Sequence, residues 1–101
     1  MKLVRDLIPR IIEDAGKTCK YHVADLDEYK SFLYEKMREE LDEFIENPSY
    51  EEAADMYEVL STILRLHSLT MFSVDSTATT KREKHGGFRD RIILEEVNDK
   101  P

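Results

Sequence analysis

Four carboxylates flank one turn. Glu40 and Glu43 precede the dipeptide Asn47-Pro48, Glu52 and Asp55 follow it, and each pair is three residues apart. Residues three apart on a helix share a face. If the flanking segments are helices folded back antiparallel about Asn47-Pro48-Ser49, residues equally distant from the turn come level. Glu43 then meets Glu52, and Glu40 meets Asp55. A step of three residues climbs about 4.5 Å, so all four side chains can converge. Carboxylate oxygens suit Mg²⁺ or Mn²⁺, whereas the lack of a nearby His or Cys argues against zinc. One acidic pair alone is ordinarily a solvated helix face. Two pairs, symmetric about a turn and leaning inward, favour a divalent cation, because inward carboxylates otherwise repel one another and lose hydration. Protonation of some of them is the other way to relieve that cost.

The inward lean comes from the helical wheel. At about 100° per residue, Leu33, Met37, Leu41, Phe44 and Ile45 mark an apolar sector that Tyr29 and Phe32 widen. Glu40 falls between Tyr29 and Leu33, and Glu43 between Tyr29 and Phe32. Beyond the turn, Glu52 falls between Met56 and Val59, while Asp55 lies at the edge beside Leu66. Glu35 and Asp42 lie on the opposite, solvated side. Lys36 is near Glu40 and Glu43 on the wheel, placed to pair with them or to snorkel.

The elements that must position these residues are helical. Asp6 is the expected cap of a short first helix with Pro9 in its first turn, closed by Gly16. Asp27 is the expected cap of a second helix running to about Glu46, stopped by Asn47-Pro48. Ser49 with Glu52 has capping-box spacing and starts a third helix that runs to about Phe72. Ser73 to Thr80 is a weak helix former, either a loop or the start of a fourth helix carrying Lys81, Arg82, Lys84 and His85 up to Gly86-Gly87. Phe88 to Val97 contains RIIL and could be extended. The expected fold is all-α: a small helical bundle built around an antiparallel hairpin, in one domain covering residues 1–101.

Composition excludes other classes. With 101 residues, 41% hydrophobic and 37% charged, and 3 Gly and 3 Pro, the chain is neither low-complexity nor collagen-like. A formal charge of −7 disfavours binding to a nucleic-acid polymer, whose phosphates it would repel. Cys19 is the one cysteine, so a reducing, cytoplasmic compartment is expected. The stretch from Leu60 to Val74 is interrupted by Arg65 and His67 and too short to span a bilayer, so no membrane is expected. No Ser-His-Asp or Cys-His arrangement is evident, and Gly86-Gly87 lacks the P-loop pattern. His67, amid Leu66 and Leu69, is expected to be a packed or interface residue rather than a ligand.

These residues resemble a known family. The MazG-like all-α nucleoside triphosphate pyrophosphohydrolases carry an EExxE motif followed by ExxD. Here it reads Glu39-Glu40-Leu41-Asp42-Glu43 and then Glu52-Ala53-Ala54-Asp55. The opening KLVRDLIP (Lys2 to Pro9) and the closing KREKHGGFRDRIIL (Lys81 to Leu94) look like the small phosphoribosyl-ATP pyrophosphohydrolase-like members. The resemblance implies Mg²⁺-dependent cleavage of a nucleotide between the α and β phosphates, giving a monophosphate and pyrophosphate. It implies metal binding by Glu40, Glu43, Glu52 and Asp55, and a role for Glu39 in orienting or deprotonating the attacking water. Lys81 and Lys84 match basic positions of the family motif and would meet the outer phosphates, with Arg82 and His85 as neighbours. The sequence departs from the family at His85, where relatives tend to carry Arg, and in the poor helix formers of Ser73 to Thr80.

Self-association is a further expectation. The long third helix is apolar on more than one side, the chain offers few elements to cover it, and members of the superfamily are commonly dimers or tetramers. The alternative to an enzyme is a non-catalytic nucleotide- or metal-binding or oligomeric interaction module on the same fold. An acidic helical protein that binds a basic partner is a third reading, and it involves no metal. The sequence does not select a base or a sugar.

Overall fold

The computed structural model describes residues 1–100. It is all-helical: α1 spans Ile8–Asp14, α2 Leu26–Glu46, α3 Tyr50–Leu66 and α4 Met71–His85, with no strand among the described residues. The chain divides into two compact units, Met1–Thr70 and a second from Met71 onward.

In the first unit, α2 and α3 pack against each other across the connection Asn47-Pro48-Ser49. Two contacts fix their direction. Tyr34, in the first half of α2, reaches His67 at the end of α3, with hydroxyl and Nε2 2.7 Å apart. Glu40, closer to the end of α2, instead approaches Glu52 and Asp55 near the start of α3. The helices are therefore antiparallel. Among the described residues, Leu33 is the one fully buried apolar side chain, and Glu40 is buried as well.

Local signals set the helix ends. Ser49 Oγ accepts from the Glu52 amide at 3.2 Å, so the expected cap of α3 is formed. The cap of α2 is Asp25 rather than Asp27: its carboxylate accepts from the Glu28 amide at 2.9 Å. Asp27 instead lies in the first helical turn, where a negative charge favours the dipole. Asp6 does not cap α1 either. Leu7 is at that position without a side-chain cap, and the Ile8 amide bonds the Arg5 carbonyl at 3.1 Å. Gly16 follows α1 in the left-handed region, as expected.

The third helix ends at Leu66, six residues short of Phe72. The Ser68 amide bonds Arg65 O at 3.0 Å and the Leu69 amide bonds Leu64 O at 2.8 Å, with Ser68 at φ 59°. That is a Schellman closure in which serine takes the place usual for glycine.

In the second unit, the weak segment does form a helix. Along α4, Thr77, Thr79 and Thr80 donate to the carbonyls four residues earlier, at 2.8, 3.0 and 3.2 Å. Gly86, at φ 83°, ends it. Phe88 to Val97 is not a strand but irregular, with Phe88, Ile92, Ile93, Leu94 and Val97 all exposed.

Candidate metal centre

Glu40, Glu52 and Asp55 each offer a carboxylate oxygen to a common point, those atoms lying within 4.8 Å of one another. The hairpin brings them there. Glu40 sits one wheel position from Leu33, on the edge of α2 that meets α3, and Glu52 and Asp55 lie on the first two turns of α3. The Ser49 cap fixes where α3 begins, and hence the height at which both acids emerge.

Burial makes this group unlike a solvated face. Glu40 is only 5% exposed. Its Oε1 lies 3.4 Å from Lys36 Nζ, while Oε2 is buried without a hydrogen-bond partner. Glu52 Oε2 is buried and unpartnered as well. Two orphaned carboxylate oxygens in one cluster carry a desolvation cost that the protein's own donors do not offset. Burial pushes the Glu40 carboxyl above the ordinary carboxylate range; Glu43 adds to the rise, Lys36 opposes it, and Asp55 adds a little more. Asp55, on the rim, is paired: Arg5 Nη2 donates to Oδ1 at 2.7 Å.

The other sequence-derived residues lie elsewhere. Glu43 is exposed and outside the three-membered group, although its charge reaches Glu40. The reason is rotational: three residues fall about 60° short of a full turn, so Glu43 turns away from the seam that Glu40 borders. Glu39 is exposed on α2, beside a cleft that it lines with Met1, Lys2, Leu3, Phe32, Glu35 and Lys36. Lys81, Arg82, Lys84 and His85 are exposed on α4 in the second unit. His67 packs its ring parallel to Tyr34, with centroids 6.2 Å apart. Glu35 and Asp42 are both exposed, Glu35 at the edge of that same cleft.

The sequence sets Arg5 within the opening KLVRDLIP but does not point to its partner. Its partner is fifty positions away in the chain, and no local spacing signals such a pair.

An all-oxygen set with two unpartnered buried atoms fits a hard divalent cation. Comparison with family models, curated proteins and solved structures gives no match. No helix is long and apolar enough to cross a membrane among the described residues.

Proposed function

We propose that this protein is a Mg²⁺-dependent nucleotide pyrophosphohydrolase of the MazG-like kind, cleaving a nucleoside triphosphate or related nucleotide between the α and β phosphates. The observation that carries the proposal is the convergence of Glu40, Glu52 and Asp55 with the orphaned Oε2 atoms of Glu40 and Glu52. The motif resemblance supplies the reaction.

Glu40, Glu52 and Asp55 would hold Mg²⁺ or Mn²⁺, with Glu43 at the margin as a fourth carboxylate. Such a cation, when bound, neutralises phosphate oxygens and activates water for attack on phosphorus. The chain's own residues do the rest. Lys36 holds one oxygen of Glu40 and leaves the other for the site. Glu39, exposed one residue earlier, takes from the motif resemblance the role of orienting or deprotonating the attacking water. For the outer phosphates the motif resemblance nominates the basic run Lys81, Arg82, Lys84 and His85. The test is incubation with Mg²⁺ and a panel of ribo- and deoxyribonucleoside triphosphates, with pyrophosphate and orthophosphate measured separately. Pyrophosphate release that needs Mg²⁺ and is lost in Glu40→Gln and Asp55→Asn supports the proposal; metal-independent release, or none across the panel, contradicts it.

The functional form is proposed to be a self-associated one. Tyr34, Leu41 and Ile45 share a stripe of α2, and His67, Leu60, Tyr57 and Ala53 share one of α3. The Tyr34–His67 contact puts both stripes on one side of the hairpin. There Leu41, Ile45, Tyr57 and Leu60 are 44, 66, 57 and 40% exposed, an apolar face suited to a second copy of the same face.

A further inference from the structure

Arg5 is the open cation of the carboxylate cluster. Among the described residues, two basic side chains touch the cluster, Lys36 and Arg5. Lys36 is largely covered, 26% exposed, and directed at the buried Glu40. Arg5 is 59% exposed and reaches Asp55 from the rim. It arrives from a segment with a fixed backbone, because its carbonyl accepts the first amide of α1. The contact with Asp55 is a single Nη2–Oδ1 hydrogen bond of 2.7 Å, whereas a guanidinium presents five N–H donors in a planar fork. One of those donors is engaged by Asp55, and the 59% exposed side chain leaves the others open to a ligand.

We propose that Arg5 is a substrate-binding residue, gripping a phosphate group of the nucleotide at the rim of the Glu40–Glu52–Asp55 cluster. This rests on those carboxylates holding a divalent cation. A planar fork matches phosphate oxygens in a way a lysine point charge does not. Asp55 serves the grip by fixing the guanidinium against α3. Without a cation, Glu40, Glu52 and Asp55 outnumber Arg5 and Lys36, so the cluster repels an anion. Phosphate binding at Arg5 must therefore follow cation binding. An exposed ion pair that merely pins the N-terminal segment would affect thermal stability slightly and leave phosphate affinity unchanged.

The test uses the full chain and calorimetric titration, first with Mn²⁺ alone and then with pyrophosphate at saturating Mn²⁺. Wild-type protein is expected to take up pyrophosphate only after Mn²⁺. Arg5→Gln is expected to bind Mn²⁺ at least as well as wild type, since Asp55 loses a competing cation. Its pyrophosphate affinity falls about tenfold or more, the scale of one charge-assisted hydrogen bond. Arg5→Lys, which keeps the charge on Asp55, guards against a variant that only unfolds; it melts like wild type and loses part of the affinity. Wild-type pyrophosphate affinity in folded Arg5→Gln overturns the assignment and leaves the cation site standing, as does wild-type protein that binds Mn²⁺ but no pyrophosphate. No Mn²⁺ uptake by wild-type protein overturns the cation site and this assignment with it.

Discussion

At the residue scale, Glu40 sets the character of the site. Its carboxyl is raised above the ordinary range by burial first and by Glu43 second. The folded protein therefore binds this proton more tightly than the unfolded chain does. The sign follows from linkage: the contribution of Glu40 to stability is full below the unfolded carboxylate pKa and is lost as pH rises through the raised folded value. Above that raised value, in the absence of divalent cation, the ionised carboxylate works against folding. Glu40→Gln is expected to raise the melting temperature of the cation-free protein by a few degrees at pH 7, with little change near pH 4. Mg²⁺ is expected to raise the melting temperature of wild-type protein and not of the variant; differential scanning fluorimetry in chelator and in Mg²⁺ reads both. The convergence of Glu40 with Asp55 was legible because equal distance from a proline turn fixes height. Which acids face the seam was less legible, since the wheel placed Glu43 at a sector's edge and only the helix rotation decides it. Arg5 left no trace in local spacing.

At the element scale, the helix caps carry the register on which the site depends. Asp25 accepts the Glu28 amide, so Asp25→Ala is expected to cost about 1 kcal/mol, whereas Asp27→Ala costs much less. Chemical denaturation of both variants checks the assignment. The signal was present in the sequence: Asp25 stands three residues before Glu28, the same spacing that identified Ser49 with Glu52, while Asp27 is followed at that distance by Lys30. The end of α3 was illegible for a different reason. Ser68 adopts φ 59° without being glycine, so no residue type announced the break before Phe72. The left-handed conformation costs an L residue roughly 1–2 kcal/mol, and glycine returns part of that gain as unfolded-chain entropy, about 0.5–1 kcal/mol. Ser68→Gly is accordingly expected to stabilise the protein by up to about 1 kcal/mol, measured in the same denaturation series.

At the scale of the whole molecule, the described residues bury one apolar side chain completely, Leu33. A domain of this length ordinarily conceals much more. The all-helical class was legible from apolar periodicity and the turn residues, but the amount of packing within one chain was not. Wheels report which faces are apolar and not what covers them. The exposed side formed by Leu41, Ile45, Tyr57 and Leu60 is expected to support a dimer at micromolar concentration, by sedimentation velocity, with a melting temperature that rises with protein concentration. Leu60→Glu is expected to shift the sedimenting species to monomer. None of the described residues of the second unit is buried, and a helix of 15 residues has little stability of its own in water. Amides of α4 are therefore expected to exchange with solvent well before those at the α2–α3 seam.

The central claim is that Glu40, Glu52 and Asp55 together hold a hard divalent cation. Calorimetric titration of Mn²⁺ into wild-type protein and into Glu52→Gln, a substitution that leaves the Arg5–Asp55 and Lys36–Glu40 pairs in place, tests it most directly. Saturable uptake by wild-type protein, weakened at least about tenfold when the Glu52 charge is removed, is the expected result. No saturable uptake by wild-type protein, or equal uptake by the variant, would contradict it.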